Sequence, residues 1–81
     1  MLQSGIVELD LHDLNCYQAK VKIDSSLRRC RAGTYRLRLI HGYHGGESLK
    51  TMIREEYAQH PKVLRLQMIG SGTTDLVLRE L

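Results

Sequence analysis

The sequence predicts an α/β fold of order βαβαββ, with a four-stranded mixed sheet and two helices. Three observations carry this reading. A segment with strand periodicity is followed by one with helical periodicity and then by a second strand. A second helical stripe ends at His60-Pro61, and two further strand-like runs flank a Gly-rich loop.

The first strand is read from Ile6 to His12. Val7, Leu9 and Leu11 fall on one face, with Glu8, Asp10 and His12 on the other. Asn15 and Gln18 have the spacing of a capping box, and Leu14 and Ala19 that of a hydrophobic staple. Ala19, Ile23, Leu27 and Cys30 then recur at helical spacing up to Gly33, which can take the left-handed conformation that ends a helix. The first helix is therefore expected over residues 16–32.

The second strand is expected from Thr34 to His41, where Tyr35, Leu37 and Leu39 are in register and Gly42 stops the run. A strand, a helix and a strand in this order form a right-handed crossover with the strands parallel. Leu49, Met52, Ile53 and Tyr57 mark a second helix over residues 48–59, since Pro61 restricts the residue before it. Val63–Ile69 and Asp75–Leu81 read as an antiparallel hairpin around Gly70-Ser71-Gly72-Thr73-Thr74. Leu64, Leu66, Met68, Leu76 and Leu78 would give the hairpin an apolar face. Whether the helices cover one face of the sheet or both is left open by the pattern.

At 81 residues the chain suits a single domain spanning 1–81, because two cores of half that size would each be too small to fold unaided. Its 42% hydrophobic and 26% charged residues exclude a disordered chain. No apolar run is long enough to cross a bilayer, and the first residues lack the pattern of a signal peptide, so a cytoplasmic protein is expected. Met1, close to the first strand, is read as the start of a stand-alone protein. Cys16 and Cys30 lie on one predicted helix roughly 21 Å apart, so they are expected to be reduced, and neither has the spacing of a metal site. A formal charge of +3 and a pI near 9.1 favour an anionic partner without identifying it.

The parallel crossover brings the carboxyl ends of the first two strands to one edge, where open parallel sheets bind ligands. Asp10 and His12 are two apart on one strand, within roughly 7 Å. His41 closes the second strand and leads into Gly42-Tyr43-His44-Gly45-Gly46, a Gly-rich loop before a helix start whose free N–H groups attract phosphate. Singly, each of these residues is as readily a satisfied polar group. The loop matches neither the P-loop nor the dinucleotide pattern, which argues against nucleotide hydrolysis and NAD binding. Lys50 and Arg54 share a face of the second helix, and Arg36 and Arg38 alternate on the second strand, so either pair could track phosphates or be solvated charge. Arg28, Arg29 and Arg31 suit the carboxyl end of the first helix dipole. Tyr43 could stack on a base.

Val7-Glu8-Leu9-Asp10-Leu11-His12 with Leu14, then Leu39-Ile40-His41-Gly42 with Gly46 and Leu49, resembles the small MutS-related (Smr) domain over nearly the whole chain. The resemblance implies a two-layer βαβαββ fold similar to the carboxyl domain of a translation initiation factor, and DNA nicking or RNA cleavage as activity. It makes Asp10 and His12 the polar pair of the first motif, and His41 and Gly42 the start of the second. Two positions depart from the family pattern. Asp13 stands where Gly usually follows, and Tyr43-His44 replaces a basic residue and a Gly in the second motif.

Two readings follow. In the first, the chain is an endonuclease in which His12 and His41 supply general acid and base, Asp10 orients His12, and the start of the second helix holds the phosphate. The binding residues are then Gly42, Tyr43, His44, Gly45, Gly46, Lys50 and Arg54. In the second, the chain is a non-catalytic module that binds nucleic acid or the ribosome; a protein-interaction domain ranks third. A divalent metal on Asp10 and a histidine is conceivable, but one carboxylate makes a poor Mg²⁺ site, so none is assigned.

Overall fold

A computed structural model of the chain describes residues 5–42 and 46–80. The elements run β1 (Ile6–Asp10), α1 (Cys16–Arg29), β2 (Arg36–Ile40), α2 (Gly46–Tyr57), β3 (Arg65–Gly70) and β4 (Thr73–Val77), in the expected order. One sheet of order β1-β2-β4-β3 contains all four strands. β1 and β2 are parallel, with Ile6 opposite Arg36 and Asp10 opposite Ile40, while β4 is antiparallel to both neighbours. The α1 crossover enforces the parallel pair. α2 then carries the chain one strand further out, and the hairpin returns β4 into the slot between β2 and β3.

Both helices pack on one sheet face. Ala19, Ile23 and Leu27 of α1 and Leu49, Ile53 and Tyr57 of α2 meet Leu9, Leu11, Leu37, Leu39 and Leu76 in a single buried cluster. At ~1.5–3 kcal/mol per fully buried aliphatic side chain, this stripe-on-face packing is the main stabilising contribution. The Tyr57 hydroxyl donates to the Asp24 carboxylate at 2.6 Å and ties the helices together. α1 starts as the sequence predicts: the Asn15 side chain accepts from the Gln18 N–H and the Gln18 side chain accepts from the Asn15 N–H.

Among the described residues, no helix covers the opposite face of the sheet. There the fully buried Asp75 carboxylate accepts from Arg36 at 2.9 Å and from Arg38 at 2.8 and 2.9 Å. Arg36 and Arg38, expected to track phosphates or to be solvated, are thus anchored to β4.

Other expectations shift at their ends. α1 stops at Arg29, not residue 32, because Cys30 turns extended (φ −66°, ψ 138°) and donates its N–H to the Leu27 carbonyl. Arg36 must pair with Ile6, so the chain has to leave the helix early enough to turn back. Gly33 does not take the left-handed conformation; among the described residues only Gly5 and Gly42 have positive φ. α2 begins two residues before the expected Ser48 and ends at Tyr57. The strands are shorter than expected, and the hairpin loop contracts to Ser71-Gly72, since pairing extends to Gly70 and Thr73 across a register shift after Met68. The expected apolar face is only partly covered. Leu76 is buried, but Leu64, just before β3, and Met68 on β3 are 57% and 62% exposed, because β3 is the edge strand of the sheet.

Candidate functional site

Asp10 is the last residue of β1, and the chain turns sharply beyond it. The Leu11 N–H donates to the Ile40 carbonyl at 2.8 Å, extending the parallel pairing by one bond, and the Leu14 N–H closes the turn on the Leu11 carbonyl at 3.0 Å. His12 therefore folds back over its own strand end. Its Nδ1 and its backbone N–H both donate to Asp10 Oδ1. The other ring nitrogen, Nε2, lies 3.1 Å from Asp13 Oδ2. The hydrogen bond to Asp10, then the charges of Asp10 and Asp13, hold the His12 imidazole above its usual range. The same bond holds Asp10 below the usual carboxylate range. Both side chains are about half exposed, 51% for His12 and 60% for Asp10, so the pair is open to a ligand.

His41 is placed differently. It was expected beside His12 at the surface, yet it is fully buried beneath the site, among the core residues at the end of β2. Its Nε2 lies 3.0 Å from Thr74 Oγ1 and its Nδ1 3.3 Å from the Gly42 carbonyl. These contacts fit a neutral ring that donates from Nδ1 to the carbonyl and accepts at Nε2 from the hydroxyl. Burial pushes the imidazole below its usual range, which keeps it neutral. Two histidines at one edge thus have opposite tendencies.

The Ser71-Gly72 turn completes the edge. The Gly72 carbonyl accepts from both the His41 and the Gly42 N–H, at 2.9 and 3.0 Å. A Cβ on Gly72 would come within 3.3 Å of the Gly42 backbone, and one on Gly42, whose φ is +86°, within 3.2 Å of the His12 Cβ. The ends of β1 and β2 and the hairpin tip are therefore in direct contact. Lys50 and Arg54 of α2, with Leu66, Met68 and Thr74, line an adjoining groove of about 200 Å³. Of the Gly-rich segment, Tyr43, His44 and Gly45 lie outside the described residues, and Gly46 is the first residue of α2. No group of three or more His, Cys, Asp or Glu side chains is arranged to hold a metal ion among the described residues.

The family model of the Smr domain matches residues 9–79. The chain belongs to the Smr family. The crystal structure of the Smr domain of Thermus thermophilus MutS2 superposes with a TM-score of 0.80 at 32% identity, covering 91% of this chain and 99% of that one. No curated protein sequence matches the chain. The Smr match includes Asp10, His12, His41 and Gly42. No helix among the described residues is long and apolar enough to cross a membrane.

Asp13 was marked in the sequence as a departure from the Smr pattern, but not as a partner of His12. Thr74 and Gly72 carried no signal, because they reach the candidate site only through the pairing of β4 with β2.

Proposed function

We propose that this Smr domain binds nucleic acid at the carboxyl edge of β1 and β2 and cleaves phosphodiester bonds with His12 as the proton-transferring group. The observation that carries the reading is the exposed Asp10–His12 pair. Asp10 accepts from Nδ1, fixes the ring and favours its charged form. Nε2 is then the atom that can donate to a leaving oxygen, a role suited to imidazole. Asp13 is a loose competitor for that nitrogen, being 86% exposed, and a substrate phosphate would displace it. His41 acts through others. It orients the Gly42 carbonyl and Thr74, and with them the start of the Gly-rich segment, without touching the substrate. Lys50 and Arg54 supply phosphate contacts along α2, with Gly42, Tyr43, His44, Gly45 and Gly46 as the backbone that approaches the phosphate.

The test is a cleavage assay on matched single- and double-stranded DNA and RNA, with and without EDTA. Cleavage of at least one substrate is expected. Activity that EDTA abolishes would add a divalent metal to the mechanism. Binding without cleavage on every substrate would leave a non-catalytic nucleic-acid or ribosome-binding module, the reading favoured by Asp13 beside His12 Nε2.

A further inference from the structure

The positive charge of this domain does not lie at the candidate site. Around that site Lys22, Lys50 and Arg54, together with His12 when it is protonated, face Asp10, Asp13 and Glu47, which leaves little net charge. At the opposite end of the sheet, Arg28, Arg29, Arg31, Lys62 and Arg79 are all exposed and form no salt bridge among the described residues. Beyond these five, the remaining seven Lys and Arg are outnumbered by the nine carboxylates of the chain.

The cations surround a built feature. Arg31, Lys62 and Arg79 rim a depression of about 320 Å³ whose apolar walls include Leu27, Leu64 and Leu78. Arg28 and Arg29 border it from the last turn of α1, Arg28 in a neighbouring depression that also holds Asp24 and Glu56, both paired with Lys20. Lys62 is further held by donating to the Leu27 carbonyl at the end of that helix, at 3.5 Å. The Cys30 thiol in the wall is pushed up by burial, so it adds no opposing charge.

We infer that this basic pole is a second docking surface for the phosphate backbone of nucleic acid, separate from the cleaving edge. The inference rests on the nucleic-acid reading above and adds to it where the affinity arises. Lys50 and Arg54 give the cleaving edge only two phosphate contacts beside its carboxylates, whereas the five cations of the pole can release more counterions. The distance suits one ligand reaching both ends. From Gly5 to Asp10, where the chain turns, β1 spans roughly 17 Å when extended, within the 32 Å length of the molecule. That corresponds to about 5 steps of a duplex at ~3.4 Å each. An acidic peptide would meet the same charges but has no reason to extend to a phosphodiester-cleaving edge.

The experiment compares the wild-type protein with Arg31→Gln/Lys62→Gln/Arg79→Gln. Fluorescence anisotropy measures binding to a labelled duplex of about 20 base pairs, to single-stranded DNA and RNA, and to polyglutamate, between about 50 and 200 mM salt. The triple variant should bind the duplex roughly tenfold or more weakly, and its log–log salt slope should be shallower by about 2 to 3. If unfolding curves show that the triple variant does not fold, Arg31→Gln/Arg79→Gln keeps the Lys62 bond and should reduce the slope by about 2. Wild-type binding with an unchanged affinity and slope in the variant would overturn the docking surface and leave the nucleic-acid reading intact. Wild-type binding to single-stranded DNA or RNA but not to the duplex would overturn the docking surface alone, and failure to bind any nucleic acid would overturn both. Binding of polyglutamate but not of the duplex would give the pole to an acidic peptide and overturn the inference.

Discussion

Asp10 and His12 stand two residues apart at the end of β1, and their hydrogen bond keeps the imidazole protonated to higher pH than a free ring. Replacing Asp10 by Asn removes the first cause of that shift, so the His12 titration followed by NMR should move down towards about 6.5. An unmoved titration would contradict the pairing. Asp13→Gly frees Nε2 and should raise the cleavage rate severalfold, measured in single turnover; a lower rate would show that Asp13 assists and does not compete. The two histidines also act oppositely on stability. His12, raised in the folded state, stabilises below about pH 6.5, and this contribution is lost as pH rises through its folded value. His41, depressed in the folded state, opposes folding as pH falls below about 6.5, because the unfolded chain takes up the proton first. In His12→Ala the melting temperature should therefore fall more steeply from pH 8 to pH 5 than in the wild type. The nearness of Asp10 and His12 was legible from strand periodicity. So, in principle, was the burial of His41, which shares its face with Leu37 and Leu39 while Asp10 faces the other way. The contact of Asp13 with Nε2 was not, because it depends on the tight turn beyond β1.

At the scale of elements, the hairpin of β3 and β4 supports the site from below. Gly72 lies against Gly42, so Gly72→Ala should push the Gly42 backbone away and impair both binding and cleavage, with folding retained in circular dichroism. Unaltered cleavage would separate the hairpin from the site. The Arg36–Asp75–Arg38 cluster fixes β4 to β2 on the uncovered face. Desolvation tends to raise the Asp75 pKa, but the bonds from Arg38 and then Arg36 outweigh it and hold the carboxyl below its usual range. Its stabilisation is present above about pH 3.9 and is lost as pH falls through the folded value. Asp75→Asn leaves two guanidinium groups without their anion and should cost about 3 kcal/mol in denaturant unfolding, at the lower end for a broken buried pair because both arginines keep some solvent. A cost below about 1 kcal/mol would mean that solvent already screens the cluster. Element order, the capping box and the parallel β1–β2 pair could be read from local periodicity. The arginine anchoring could not, since it requires the register of a strand about forty residues away.

Across the whole molecule, the helices cover one sheet face, the Asp10–His12 pair sits at one end, and positive charge without salt-bridge partners among the described residues collects at the other. With the proposed roles, substitutions at the basic pole should change affinity and those at the pair should change cleavage. Net charge was readable from composition, but its placement was not, because Arg31, Lys62 and Arg79 come from three separate segments that only the fold unites. The central claim is that His12 performs proton transfer on a bound phosphodiester. Single-turnover cleavage by His12→Ala, measured alongside its affinity for the same oligonucleotide, tests it most directly. The account predicts a rate lower by roughly 10² to 10⁴ fold with affinity nearly unchanged. Wild-type cleavage in His12→Ala would contradict it.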